Sequence, residues 1–69
     1  MRIQKPTPDQ ITRARQFAGL TQQQAAEMVY ASSVSHWSNW ENGRYGMSRA
    51  TWHLFLLLTN QTDRLEKTA

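Results

Sequence analysis

Five short polar side chains recur at helical spacing between residues 32 and 39 of this chain. They are Ser32, Ser35, His36, Ser38 and Asn39. An ordinary solvent-facing helix carries Lys and Glu, whereas this face offers hydroxyl, imidazole and amide groups. Such groups donate and accept hydrogen bonds at short range, as a helix must when it binds base edges in the major groove of DNA. The spacing therefore predicts a surface for hydrogen-bonded recognition.

A helix over residues 33–41 must hold these side chains, and its opposite face is expected to point to the core. That inward face consists of Ser33, Val34, Trp37, Trp40 and Glu41. Trp37 and Trp40 could instead stack on bases, as aromatic side chains do in single-strand binders. Their spacing places both on the same side as Val34, so we interpret them as packing residues.

The preceding helix is expected over residues 22–30. Thr21 and Gln24 form a capping-box pattern, in which each side chain binds the backbone N–H of the other residue. Its inward residues are Ala25, Ala26 and Val29. Because these are small or β-branched, the next helix can cross close to them. A serine-rich turn separates the two helices, and Ser32 or Ser33 is expected to cap the second.

The first helix is expected over residues 8–18. Thr7 caps it, Pro8 occupies the first helical position, and Gln10 completes a second capping box. Gly19 is expected to end it in a left-handed conformation. Its apolar stripe consists of Ile11, Ala14 and Ala18, with Phe17 beside them.

The last clear helix is expected over residues 49–60, with Ser48 as its cap. Its core face holds Trp52, Phe55, Leu56 and Thr59, and its other side holds Leu54, Leu57 and Leu58. A monomer of 69 residues has no further element to cover that second face. Residues 61–67 could extend the helix or form a short separate one that adds Leu65 to the same seam. We expect Leu54, Leu57, Leu58 and Leu65 to form a homodimer interface.

The chain length and the predicted helices together indicate one small all-α domain of four or five helices over residues 1–69. Eight Lys or Arg against five Asp or Glu give a net charge of +3, which favours phosphate partners. The absence of cysteine excludes a disulfide framework and a cysteine-based zinc site. Residues 1–6 lack periodicity and contain Arg2 and Lys5, so they indicate a flexible basic arm, while residues 61–69 are a candidate helical extension.

Catalytic and cofactor-binding patterns are missing from the sequence. His36 and His53 fall on different predicted helices without a paired carboxylate at metal spacing, and the three glycines are scattered. We therefore expect no enzyme activity, no cofactor and no metal. The N-terminus has no apolar run, and Leu54–Leu58 is too short to span a bilayer, so we expect a cytoplasmic protein without membrane contact.

Three motifs connect these helices to a known family. GLTQ occupies Gly19–Gln22, an Ala-Glu pair follows at residues 26–27, and WENG occupies Trp40–Gly43. In these motifs the chain resembles the lambda-repressor-like helix-turn-helix family, also called Cro/CI or XRE-like, from Ile11 to Thr59. The resemblance implies a four- to five-helix domain with a helix-turn-helix, whose second motif helix enters the major groove.

The turn between the two motif helices departs from the common family pattern. It is one residue longer between Glu27 and Trp40, and Tyr30 stands about where the turn glycine is expected. This longer turn, with Trp37 ahead of WENG, is similar to the variant in some anti-CRISPR-associated autorepressors of phages and mobile elements.

The resemblance also implies roles for single residues. Arg15 is expected to form an ion pair with Glu41, although it could instead be an exposed arginine. Gln22 matches a phosphate-contacting position, unless it serves only to cap its helix, and Arg44 and Arg49 match positions that contact phosphate or the minor groove. The full expected set of DNA-backbone contacts is Gln22, Gln23, Asn42, Arg44, Tyr45 and Arg49, with Tyr45 alternatively covering its loop.

Two functions fit these observations. The first is a sequence-specific, double-stranded DNA-binding transcriptional repressor in a prokaryotic or phage-infected cell, which binds a palindromic operator as a homodimer and represses its own operon. A chain of this length leaves no room for an effector-binding domain, so no small-molecule effector is expected. The alternative is an antitoxin-like interaction protein whose last helix binds a partner protein and whose DNA binding is secondary. Self-association through the leucines favours the first, and dimerisation only with a neighbouring gene's product favours the second.

Overall fold

The structure, a computed structural model, describes residues 4–62 and is all-α over that range. Its helices are α1 (Pro8–Phe17), α2 (Gln22–Met28), α3 (Val34–Glu41) and α4 (Arg49–Leu58). The predicted all-α class is confirmed for these residues, which contain no strand. α3 packs against both α1 and α2, and α4 contacts α2. Within residues 4–62, every helix is too short or too polar to cross a membrane.

Side-chain caps start α1, α2 and α4, as the sequence predicts. Thr7 Oγ1 accepts from Gln10 N at 3.2 Å, while Gln10 Oε1 accepts from Thr7 N at 2.9 Å. Thr21 and Gln24 repeat this reciprocal pair at 3.1 and 2.9 Å. Ser48 Oγ accepts from the backbone amide three residues further on, at 3.1 Å. Each cap satisfies an amide that the start of a helix leaves without an intrahelical partner.

Residues with left-handed backbone conformations follow the ends of α1, α2 and α4. Gly19 follows α1 with a φ of 73°, as predicted. α2 ends at Met28, two residues before the predicted boundary, because Tyr30 turns the chain with a φ of 61°. α4 ends at Leu58 rather than at residue 60, because Asn60 has a φ of 62°.

Of the two alternatives for residues 61–67, a continuation of α4 is wrong, whereas a short separate helix falls mainly on residues outside the described range. Gln61 and Thr62 are not helical, since the left-handed residue before them ends the helical hydrogen-bond pattern. Residues 63–69, which include Leu65, lie outside the described residues. The side chain of Gln61 is instead buried. Its Nε2 donates to Ala14 O at 3.1 Å, and this bond joins the end of α4 to the middle of α1.

The core lies where the four helices meet. Its buried hydrophobic members are Ile11, Ala14, Ala25, Ala26, Val29, Trp37, Met47, Trp52, Phe55 and Leu56. Trp37 is fully buried, and its ring centroid lies 4.9 Å from that of Phe55. The interpretation of Trp37 as a packing residue is therefore confirmed. Trp40 is half-buried and meets Trp37 edge-on, with 5.7 Å between ring centroids.

Two apolar side chains lie further out than predicted. Phe17 is 75% exposed, because its position on α1 is rotated about 60° beyond Ala14, away from Ile11. Val34 was expected to face inward but is exposed, because it is the first residue of α3. It borders an open cleft between α2 and α3 together with Ala31.

Candidate nucleic-acid interface

The carboxylate of Glu41 fixes the orientation of α3 relative to α1 and α2. Arg15 donates to it through Nε at 2.6 Å and through Nη2 at 3.3 Å. Gln22 Nε2 donates to Glu41 Oε1 at 3.1 Å, and Trp37 Nε1 donates to Oε2 at 2.5 Å. The side chains of Arg15 and Glu41 are only 17% and 8% exposed. The expected ion pair is therefore present and largely buried.

The pKa of the Glu41 carboxyl is lowered from its ordinary value. Burial is the largest single influence and acts in the opposite direction, because it disfavours the charged form. The hydrogen bonds from Arg15, Trp37 and Gln22, together with the charge of Arg15, outweigh the effect of burial. Glu41 is therefore a carboxylate at neutral pH.

The side chain of Gln22 points inward to Glu41, a contact that the sequence did not predict. Gln22 Nε2 is the group that would donate to a phosphate, and one of its two hydrogens is used by Glu41. The second hydrogen remains for another acceptor, so a phosphate contact is compatible with this geometry. Gln23 is exposed beside it.

The predicted recognition face of α3 carries polar side chains at graded exposure. Ser32, Ser35 and His36 are exposed, whereas Ser38 and Asn39 are half-buried. Among the described residues, no side chain forms a hydrogen bond with those of Ser35, Ser38 or Asn39. Their hydroxyl and amide groups therefore keep their hydrogen-bonding capacity for a ligand.

The start of α3 differs from the sequence expectation. Ser33 is its N-cap residue, but its side chain makes no capping hydrogen bond. Its Oγ lies 3.2 Å from His36 Nδ1, and Ser32 Oγ lies at the same distance from that nitrogen. The imidazole is within hydrogen-bond distance of both hydroxyls because His36 follows Ser33 by three residues and Ser32 by four, which places all three side chains on the same side of the turn. This spacing was visible in the sequence.

The loop after α3 turns back on the end of that helix. Asn42 Oδ1 accepts from Arg44 N at 3.1 Å, and the same amide donates to Asn39 O at 3.0 Å. The expected DNA-contacting side chain of Asn42 thus also shapes the loop. Gly43 has a φ of 82°, which favours glycine at this point. Arg44 and Tyr45 are exposed, so Tyr45 does not bury its ring over the loop.

Unpaired positive charge lies on this loop and beside it. Within residues 4–62 the ion pairs are Arg13 with Asp9 and Arg15 with Glu41, so Arg44 and Arg49 are in neither of them. Lys5 also lies beside this loop: its Nζ is 4.0 Å from the position that a Cβ atom would occupy on Gly46. The predicted basic arm therefore approaches the loop at Lys5, while residues 1–3 lie outside the described range. The sequence did not reveal that Lys5 lies beside Gly46.

Two of the predicted interface leucines lie on the surface. Leu57 and Leu58 are 54% and 52% exposed, as expected. Leu54 was expected beside them, but it is half-buried and packs against the core. The described surface therefore holds a smaller apolar face on α4 than predicted.

The described residues offer no alternative metal centre, since no three His, Cys, Asp or Glu side chains among them lie close enough to hold an ion. No protein-family model matches this chain, and neither does any curated protein. The helix-turn-helix resemblance therefore depends on the motif residues alone.

Proposed function

We propose that this chain is a sequence-specific DNA-binding transcriptional repressor of the lambda-repressor-like helix-turn-helix type. The observation that carries the proposal is the outer face of α3, where the side chains of Ser35, Ser38 and Asn39 have no hydrogen-bond partner among the described residues and stand next to an exposed cationic loop. Hydrogen-bonding groups beside positive charge suit a ligand that presents base edges between two phosphate backbones.

Preorganisation of α3 supports this function. A recognition helix must hold its side chains to within a fraction of an ångström, which requires support from behind. The carboxylate of Glu41 receives hydrogen bonds from Arg15 on α1 and Gln22 on α2, so the rear of α3 is tied to two other helices. The polar side chains Ser35 and Asn39 can then meet the major groove without reorganising the helix.

Phosphate contacts would come from the loop and from the first turn of α4. Arg44 and Arg49 are exposed and lie on either side of Tyr45 and Met47 in the chain. They can therefore contact phosphates along the DNA backbone beside the groove. Gln22, Gln23, Asn42 and Tyr45 would add uncharged contacts. Such contacts supply affinity for any sequence, whereas the α3 side chains supply discrimination.

A homodimer on a palindromic operator is the form we propose for the bound protein. Leu57 and Leu58 provide an exposed apolar face on α4, with half-buried Leu54 at its margin. A symmetric interface buries the same surface on both subunits, and a two-fold dimer matches two half-sites about one helical turn apart. We further propose that this cytoplasmic dimer represses its own operon by occluding polymerase, as in Cro-like or anti-CRISPR-associated autorepressors.

The exposed leucines also favour a second candidate function. In this alternative the protein is an antitoxin-like interaction protein, and Leu57 and Leu58 bind a different protein. The two candidates differ in solution. The repressor self-associates at micromolar concentration, whereas the interaction protein stays monomeric until it is mixed with the product of a neighbouring gene.

The decisive experiment is footprinting of the purified protein at moderate salt on the DNA just upstream of its own reading frame. We expect protection of a palindrome, with weaker binding to random DNA of the same length. Asn39→Ala should cost about 1 to 3 kcal/mol on that site and much less on random DNA. Equal affinity of the parent protein for both DNAs would refute sequence-specific repression.

A further inference from the structure

Three neighbouring side chains form a hydrogen-bonded cluster at the start of α3. Ser32 Oγ and Ser33 Oγ each lie 3.2 Å from His36 Nδ1. All three residues are exposed, so the cluster lies on the surface. A serine at the N-cap usually accepts a hydrogen bond from a backbone amide of its helix, but the Ser33 hydroxyl contacts the imidazole of His36 instead. The cluster therefore orients the imidazole ring rather than capping the start of α3.

Both hydroxyls meet the same ring nitrogen, which leaves His36 Nε2 for an outside partner. Within the described part of the chain, Nε2 makes no hydrogen bond. When a serine hydroxyl donates to Nδ1 of the neutral ring, the ring hydrogen is on Nε2. When the ring is charged, Nδ1 donates to a serine oxygen and Nε2 again carries a hydrogen. These two arrangements present an outward N–H donor in a direction that the serines define, whereas a neutral ring with its hydrogen on Nδ1 would donate to a serine oxygen and present Nε2 as an acceptor.

We propose that His36 Nε2–H donates to a purine N7 in each half-site of the operator, and that Ser32 and Ser33 are positioning residues for this contact. The inference rests on the proposed DNA-binding function and names the chemistry that one side chain reads. N7 is an acceptor on the major-groove edge of both guanine and adenine, and pyrimidines have no equivalent. Ser32, which the sequence places among the base readers, then acts through His36.

The test replaces each purine of one footprinted half-site in turn with its 7-deaza analogue, which has C–H in place of N7. The parent protein should lose about 3- to 10-fold in affinity at one such purine, the equivalent of one hydrogen bond. His36→Ala should bind the unmodified site more weakly and show no further loss at that purine. The double variant Ser32→Ala with Ser33→Ala, which keeps the imidazole, should depend on the same N7 less strongly than the parent.

His53→Ala on α4 is the matched control and should reproduce the parent at every position. Circular dichroism should give the His36 and serine variants the parent's helical spectrum because those residues are exposed, and the same measurement checks that replacing the half-buried His53 leaves the helices intact. A His36→Ala protein that loses as much affinity as the parent at every 7-deaza purine would overturn the contact. A double serine variant with undiminished dependence on that N7 would overturn the positioning role. A parent protein that does not prefer upstream DNA to random DNA is a separate result, which removes the proposed function itself.

Discussion

Replacing Glu41 with Ala should destabilise this domain severely. Arg15 Nε, Gln22 Nε2 and Trp37 Nε1 all donate to the Glu41 carboxylate, which is 8% exposed. Removing one member of a buried ion pair costs about 3 to 5 kcal/mol, because the other charge is left without its partner. Arg15 Nη1 also donates to Leu20 O at 3.0 Å, so the guanidinium keeps one acceptor and we expect a cost near 3 kcal/mol.

That cost is large relative to the whole. Small domains are stabilised by roughly 0.05 to 0.15 kcal/mol per residue, or about 3 to 10 kcal/mol for a chain of 69 residues. Urea unfolding followed by circular dichroism should therefore show Glu41→Ala losing about a third to all of the parent's unfolding free energy, with a correspondingly lower midpoint. Arg13→Ala is the matched control, because it breaks an exposed i, i+4 pair with Asp9 and should leave the unfolding midpoint unchanged.

A double-mutant cycle decides whether the ion pair or the side-chain packing is responsible. Arg15→Met with Glu41→Leu removes both charges and keeps apolar volume, so it should be more stable than either single variant. Strict additivity of the two single costs, or a Glu41→Ala cost below about 1 kcal/mol, would refute the reasoning, since an isolated surface pair contributes no more than that.

Four further predictions concern the pH dependence of stability, the turn before α3, the phosphate contacts and the dimer interface. The pKa of Glu41 is lower in the folded state than in the unfolded state, so its contribution to stability is complete above the unfolded-state pKa and is lost as the pH falls through the folded-state pKa. Measurements of the unfolding free energy at decreasing pH should show this loss in the parent and much less of it in the Arg15→Met, Glu41→Leu variant. Tyr30 is 87% exposed at a φ of 61°, so Tyr30→Gly should stabilise by about 0.5 to 1 kcal/mol and raise Tm, whereas Tyr45→Gly should not. Arg44→Ala should weaken binding to all DNA sequences alike and lower the slope of log K against log salt by about 1 per monomer; an unchanged slope removes it from the phosphate contacts. Leu57→Glu should leave the helical spectrum intact and make the protein monomeric in sedimentation at micromolar concentration, and a persistent dimer would place the interface elsewhere.

Local signals in the sequence predicted the helix starts and the buried faces well. The capping boxes at Thr7 and Thr21 involve residues three apart, so their geometry follows from the helix alone. Gly19 ends α1 for the same local reason. The pair of Arg15 with Glu41 spans 26 residues, and only the family resemblance suggested it.

Departures from the sequence prediction occur where tertiary packing or side-chain competition decides. The Ser33 hydroxyl had two possible partners, and in the folded turn it contacts the imidazole of His36 and makes no capping hydrogen bond to a backbone amide. Gln61 is buried because Ala14 O, 47 residues away, accepts its amide, and no local pattern indicates such a partner. Tyr30 adopts a left-handed conformation without being glycine, because the chain must turn there whatever the side chain.

The three tryptophans give the domain a set of built-in spectroscopic reporters. Trp37 Nε1 is bonded to the Glu41 carboxylate, Trp52 Nε1 is buried without a partner among the described residues, and Trp40 is only half-buried. Three indole N–H groups in three such environments should give separate resonances in a proton–nitrogen spectrum. The first then reports on the ion-pair network, the second on the integrity of the core, and the third on events at the surface of α3. Loss of the network, global unfolding and ligand contact could thus be followed separately in one titration of the protein with an unlabelled partner. No probe would have to be introduced.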